Sequence, residues 1–471
     1  MSSADIACFS ASLILLVYFG WRHTRSVQDE SAYLLANRKT GLFALVATLV
    51  MTEFNPTTLL AFSGPGYYVG LWGLLLPSVF LLGLGFYTVS VSRQWKRFNA
   101  MSVAELFSLR YGKDIGRIAS MSLLLAMLGF SANYVKSLLL IFSPLSPETS
   151  PWLTSALLVL TILLLTLRGG LVAVISTDII SFIGTIIIIP LLFYFSYTTS
   201  GHNFSQLQTS FPLSESQKLL PSRLIVSFIV LTMFTYIAAP WYGQKIFAAA
   251  SEKIAFTAVA FSAIIVFLLY AFPTLAVAFL KVQGIGLTSG EKGVPYILSN
   301  LLPQGLRGFS YALLFAAGAT TLAGVWSAMT TMLVADFSRP AQVGSSYVRS
   351  LQITLVLAGA TYVAANTLID QILSKLILAN IPIAALSFAL LAGFYWKKAS
   401  RAGAMASIVV GFSWGVFCYL YFGDKNGYTW YWAMYGIPLI FLSGIVTSYL
   451  FPMREKEKEM LQEFSQRMQQ N

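Results

Sequence analysis

The chain has 471 residues, 57% of them hydrophobic and 10% charged, with a mean hydropathy of +0.73. Soluble domains carry about 25% charged residues, so this composition excludes an ordinary soluble protein and predicts a polytopic membrane protein held in a lipid bilayer. The net charge of +12 does not argue for nucleic acid, because the bases fall in short loops between apolar runs, where they set topology.

A spanning helix needs roughly 20 apolar residues. Taken in chain order, spans are predicted near 4–21, 42–63, 70–92, 115–142, 152–167, 170–197, 222–248, 254–280, 307–337, 350–373, 376–396, 403–422 and 430–451, about 13 in all. The first run, Ala4–Gly20, has no base ahead of it and no small-residue cleavage site. Arg22, Arg25, Arg38 and Lys39 follow it. This pattern predicts a retained helix with its N-terminus outside and the C-terminal tail cytoplasmic, in the plasma (inner) membrane. With that orientation, about 22 of the 30 Lys+Arg residues lie on the cytoplasmic side, the positive-inside bias. The densest clusters are RQWKR (93–97), Arg110–Arg117 and KKASR (397–401). The tail after the last span mixes both charge signs and reads as a short solvated helix.

Spans two to six and seven to eleven can form two five-helix repeats of opposite topology. The organisation expected is an extra helix and loop (1–41), a first repeat (42–197), a second repeat with outer loops (198–396), two C-terminal helices (397–452) and a tail (453–471). The first helix of each repeat is interrupted, by Asn55-Pro56 and by Pro240. Matching interruptions in two halves point to the central site of a transporter.

The segment MTEFNPTTLLAFSGPG (51–66) carries the strongest signal. Pro56 removes a backbone donor, and Asn55 before it is pushed out of helical angles, so the helix breaks within the membrane. Carbonyls freed by a break must face protein, water or an ion, and those of Met51 and Phe54 suit a small hard cation. Glu53 is the acid of this span, and an intramembrane acid is a functional candidate by default. Plain kinking, with Glu53 paired to a neighbour, is the structural reading of the same residues.

In FAAGATTLAG (315–324), Thr320 and Thr321 are adjacent hydroxyls in a helix whose small residues admit a close neighbour. Asp178, in RGGLVAVISTDIISF (168–182), lies just over two turns into its span and reads either as a salt bridge or as a residue on an inner cation path. Tyr236, Trp241 and Tyr242 gather around Pro240, where aromatics can gate, stack on a solute or simply pack. Lys136 lies in the outer part of span four. It can snorkel to the interface, contact an anionic solute or pair with Glu53.

Cys8 and Cys418 lie in separate spans, and His23 and His202 lie in loops, so no disulfide framework or histidine metal site is expected. Phosphate-loop, zinc-protease and serine-hydrolase motifs are missing, and no nucleophile–base set appears. The expectation is therefore not an enzyme. Three readings stand: a sodium-coupled carrier, a proton-coupled carrier titrating Glu53, and a nutrient sensor that transports little and acts through a separate partner.

Six segments carry a resemblance to the sodium:solute symporter family, which includes sodium/proline and sodium/sugar symporters. They are SAYLLANRKTG (31–41), SGPGYYVGLWG (63–73), SVAELFSLRYG (102–112), GGLVAVISTD (169–178), QKIFAAASEKIA (244–255) and FALLAGFYWKKASRAGAMASIVVG (388–411). Val103 and Ala104 stand where Thr or Pro is often seen, and Ser181 where the pattern has Gln. The resemblance implies an all-α polytopic fold, the LeuT-type five-plus-five inverted repeat. It implies a sodium ion as coupling ion, held by carbonyls of Met51, Phe54 and Ala317 and hydroxyls of Thr320 and Thr321. Beside it, Glu53, Asn55, Thr57, Thr58, Tyr236 and Trp241 would bind a small-molecule solute, with Asp178 on the inner cation path. Glu53 matches a position that is acidic in proline-type members. Leu76 and Pro77 replace the polar residues of sugar carriers, so an amino acid or another small zwitterion is expected over a sugar. Oligomeric state is not readable from the sequence.

Overall fold

A computed structural model describes residues 2–24, 38–99, 102–145, 147–166, 170–201, 204–337, 345–423 and 427–470. Residues 168–169, His202 and most of 31–41 lie outside the described residues. The described chain is helical. Its principal helices are α1 (Ser3–Thr24), α2 (Leu42–Glu53), α3 (Pro56–Ser63), α4 (Ser78–Ser90), α5 (Ser92–Phe98), α6 (Val103–Tyr111), α7 (Lys113–Phe142) and α8 (Pro151–Thr166). There follow α9 (Gly170–Thr199), α10 (Ser222–Tyr236), α11 (Pro240–Phe247), α12 (Glu252–Val282), α13 (Leu306–Phe337) and α14 (Ser345–Thr367). The last are α15 (Ile372–Leu378), α16 (Ser387–Tyr395), α17 (Arg401–Phe422), α18 (Ile437–Leu450) and α19 (Glu455–Gln470).

The apolar runs of the sequence fall on these helices. By length and hydropathy alone, six helices among the described residues qualify as membrane spans, and up to nine if each bent pair is one span. The others are short or broken, as α4 is, so that apolar length alone passes over them. The break between α2 and α3 bends the chain by 62°. The helices expected to open the two repeats are both interrupted, as α2/α3 and α10/α11.

The broken helices lie at the centre of the bundle. Helix α12 packs along α2, α4 and α9, and α13 packs on α1, α7 and α9 while touching α2 and α3. Aromatic rings fill the middle: Tyr270 of α12 lies 5.7 Å from Phe54, 5.7 Å from Phe62 and 5.0 Å from Phe80. The glycine-rich turn after α3 exists for close approach. A Cβ on Gly66 would meet the Thr274 carbonyl oxygen at 2.2 Å, a distance that no side chain tolerates.

At one end of the bundle the loops are tied together. Thr40 and Ala249 form an isolated β-bridge, with Thr40 N–H donating to Ala248 O (3.0 Å) and Ala250 N–H to Thr40 O (3.0 Å). Lys96 donates to Phe247 O (3.2 Å), Arg97 pairs with Glu252 (2.8 Å), and Arg401 pairs with Asp114. The tail corrects the expectation of a solvated helix. In α19 the residues Met460, Phe464 and Met468 recur at helical spacing, which gives one apolar stripe. Phe464 is buried against Phe98 (5.4 Å) and Phe394 (6.3 Å), and Arg467 pairs with Glu105 (2.7 Å). The segment SVAELFSLRYG forms α6, capped by the Ser102 hydroxyl on Glu105 N–H (3.2 Å).

Candidate functional site

The first break is built by its own residues. Phe54 and Asn55 are extended (ψ 98° and 164°), and Pro56 opens α3 at a position where its missing N–H costs nothing. The Asn55 side-chain oxygen accepts the N–H groups of Thr57 (3.0 Å) and Thr58 (3.1 Å), while Asn55 N–H reaches the Thr58 hydroxyl (3.4 Å). This is a capping box. The Glu53 carbonyl accepts from Asn55 Nδ2 (3.0 Å), from the Thr58 hydroxyl (2.7 Å) and from Tyr270 of α12.

The neighbouring carbonyls have no such partners. Among the described residues, no hydrogen bond ends on the oxygens of Met51 or Phe54, although both residues are buried. An unpaired buried carbonyl is costly. On α13, which touches both α2 and α3, the Ala317 carbonyl accepts the Thr321 hydroxyl (2.7 Å) and the Thr320 hydroxyl (3.4 Å). Thus Ala317, Thr320 and Thr321 lie together on one turn, and Met51 and Phe54 lie on the helix that α13 touches. The donor set is all oxygen, which suits a hard cation. Among the described residues no cluster of His, Cys, Asp and Glu could hold a metal instead.

Glu53 joins the two breaks. It is 4% exposed. Tyr236, the last residue of α10, donates its hydroxyl to the carboxylate, and Trp241 of α11 donates its indole N–H (3.3 Å). Trp241 in turn meets Phe130 of α7 edge-on at 5.1 Å. So Glu53, Tyr236 and Trp241 form one cluster. Asn55 and Thr58 are engaged within the first break, and the Thr57 hydroxyl pairs with Ser137 of α7 (2.8 Å). Glu53 does not pair with Lys136.

Asp178 is buried and ion-paired. Lys245 of α11 reaches its carboxylate at 2.9 Å and donates to Thr48 O of α2 at 2.9 Å, while the Thr48 hydroxyl donates to the same carboxylate (2.5 Å). Three helices meet on this one ammonium. Sequence reading did not single out Lys245, Tyr270 or Trp95, whose indole donates to Ile237 O in the second break (2.9 Å). Lys245 carried a usable signal, as the base of the QKIF stretch, because a lysine inside an apolar helix implies an acid nearby. Tyr270 and Trp95 look like ordinary core aromatics and carried none.

The sodium:solute symporter family profile matches residues 33–411. Two curated relatives are a sodium/pantothenate symporter of Haemophilus influenzae, 24% identical, and one of Escherichia coli, 26% identical. Each match covers 80% of this chain and 82% of the relative. Among solved structures, a Na+-coupled sialic acid symporter in a substrate-bound outward-open state superposes with a TM-score of 0.80 at 16% identity, over 96% of this chain and 98% of that one. Mhp1 in an inward-facing conformation superposes at 0.56 with 13% identity, over 93% and 98%. These likenesses show the fold, which is the LeuT-type fold expected from the sequence.

Proposed function

The chain belongs to the sodium:solute symporter family, and we propose that it imports a small organic solute by alternating access around the two helix breaks. The family and relatives make it a sodium-coupled secondary transporter of the membrane and not an enzyme. Sodium binds between the free carbonyls of Met51 and Phe54 and the turn Ala317–Thr321. The observation that supports this reading is the pair of carbonyls without donors on two buried residues, together with two hydroxyls on one turn of α13, a helix that touches α2 and α3. Sodium supplies the positive charge these oxygens lack, and its binding joins α13 to the first broken helix. The solute binds beside it, bounded by Thr57 and by the Glu53–Tyr236–Trp241 cluster.

The end that holds Thr40 and Ala249 faces the cytoplasm in this reading. Arg38, Lys96, Arg97, Arg401 and Arg467 gather there on Asn99, Phe247, Glu252, Asp114 and Glu105, and positive charge marks the inner side. The Asp178–Lys245–Thr48 contact and the β-bridge then close the cytoplasmic route. Opening it separates α2 from α11, frees Asp178 from Lys245 and gives sodium a carboxylate on its way out. Each net positive charge that moves inward contributes about 2.3 kcal/mol per 100 mV.

Uptake into proteoliposomes tests the reading, with pantothenate as the first probe and inward sodium, potassium or proton gradients as the drive. Sodium-driven uptake that disappears in Thr320→Ala/Thr321→Ala is the expected result. Uptake that follows the proton gradient, survives the double substitution and is lost in Glu53→Gln would replace sodium by proton coupling.

A further inference from the structure

Two lysines on helices around the breaks, Lys245 and Lys136, have opposite surroundings. Lys245 is held by a carboxylate and a carbonyl. Lys136, half-buried on α7, has neither: among the described residues no hydrogen bond and no ion pair reaches its ammonium. Its position is fixed by its neighbours. Gly129 of α7 faces Ala379, just past the end of α15, at 3.0 Å from a built Cβ. Lys136 lies seven residues on, two helical turns, and so shares that face. The next residue, Ser137, holds Thr57 of α3 through its hydroxyl (2.8 Å). Lys136 therefore lies on the side of α3, next to the residue that holds Thr57.

The charges around it are committed elsewhere. Glu291, in the segment before α13, is the acid whose charge it faces. That carboxylate accepts the N–H of Ile372 (3.1 Å) at the start of α15. Burial pushes the Glu291 carboxyl above the usual carboxylate range, against the pull of the Ile372 and Leu373 N–H groups and of Lys136. Lys375, the next base on this side, is paired with Asp370 at 3.4 Å. One turn below Lys136, the amide oxygen of Asn133 is buried without a partner, while its Nδ2 donates to Gly129 O (3.0 Å).

We propose that Lys136 anchors a negatively charged group of the solute, a carboxylate, with Asn133 accepting from a hydroxyl or amide N–H of the same molecule, so that the substrate class is a small organic anion. This rests on the reading of the chain as a solute carrier. A zwitterion would need a free acid for its ammonium as well. Glu53 is 4% exposed behind Tyr236 and Trp241, whereas Lys136 is half-buried. Lysine suits the task as a compact, mobile point charge that can follow a ligand through a conformational change.

The test uses purified full-length protein in detergent and in proteoliposomes. The probes are pantothenate, lactate and benzoate, each paired with its neutral primary amide, and proline as the zwitterion. At least one carboxylate should raise the melting temperature in a sodium-dependent way and be taken up, while its amide and proline should not. Lys136→Gln should weaken that response roughly tenfold or more, the size of one charge-assisted hydrogen bond. Lys136→Arg should restore part of it. Stabilisation by sodium alone should persist in Lys136→Gln, which separates loss of the anion site from misfolding. Amides or proline acting as well as the carboxylates, no response to any carboxylate, or carboxylate uptake untouched by Lys136→Gln would each overturn the proposal. Failure of sodium coupling would appear separately, as carboxylate uptake that follows the proton gradient and survives Thr320→Ala/Thr321→Ala.

Discussion

The two sides of the helix breaks treat charge in opposite ways. On the side of α2 and α11, Lys245, Asp178 and Thr48 form a closed set in which the buried ammonium and the buried carboxylate each have a partner at 2.9 Å or less. On the side of α3, no hydrogen bond and no ion pair reaches Lys136 among the described residues, and Glu291, the acid that feels its charge, is bonded to the Ile372 N–H. A buried ion pair is held by geometry, and removing one member leaves the other stranded at high cost. An open, half-buried cation contributes little to the fold and is free to meet a ligand. The difference separates a residue that holds helices together from one that recognises a solute, although both are lysines on membrane helices.

The largest effect expected on this contrast comes from breaking the closed set. Asp178→Asn or Lys245→Met should each lower stability by about 3–5 kcal/mol, measured by thermal or denaturant unfolding in detergent. Asp178→Leu/Lys245→Met, which removes both charges together, should recover much of that loss. Single substitutions costing under about 1 kcal/mol, the level of an exposed pair, would mean that the three helices are held by packing alone, and the contrast would lose one side.

The next effect lies between the two sides. Tyr236→Phe removes one donor from the buried Glu53 carboxylate and should cost about 1.5–3 kcal/mol, the range for hydrogen bonds to charged groups. Sodium-driven uptake should fall with it, because Glu53 joins the two breaks. Unchanged stability would indicate that Trp241 and water satisfy the carboxylate without the phenol.

The first break was legible in the sequence because its causes are local. Asn55, Pro56 and Thr58 lie within four positions, and the cap they form follows from their side chains alone. Thr320 and Thr321 were legible as adjacent hydroxyls, while Ala317, to which they reach back three and four residues, came only from the family resemblance. The second break was located by Pro240 but not explained. It has no side-chain cap, and its Ile237 carbonyl is satisfied by Trp95, 142 positions away. Asp178 was singled out without its partner Lys245, which lies 67 positions on. The docking of α19 was likewise hidden, because a stripe at Met460, Phe464 and Met468 says that one face is apolar but not what covers it. Hydropathy gave where helices run. Which helix meets which depends on long-range packing that no local pattern encodes.

The legible break supplies a smaller prediction. Asn55→Ala should cost about 1 kcal/mol, the usual loss for an N-cap, and Asn55→Asp should keep most of the cap. A loss near that of the Asp178 substitutions would show that Asn55 also holds Glu53 in place through the carbonyl it contacts.

The smallest effect decides the comparison. Lys136→Gln removes a charge that no described residue contacts, so its stability in the absence of solute should stay within about 0.5 kcal/mol of the parent protein, as for substitutions away from packed or paired groups. The glutamine keeps most of the apolar stem that covers α7, so lost packing does not obscure the reading. Differential scanning fluorimetry in sodium without solute gives the number directly. If Lys136→Gln loses several kcal/mol, as Lys245→Met should, then Lys136 is holding helices, the asymmetry between the two sides disappears, and its ammonium is not available to a ligand. If stability holds while carboxylate binding is lost, the side of α3 is the side that recognises the solute.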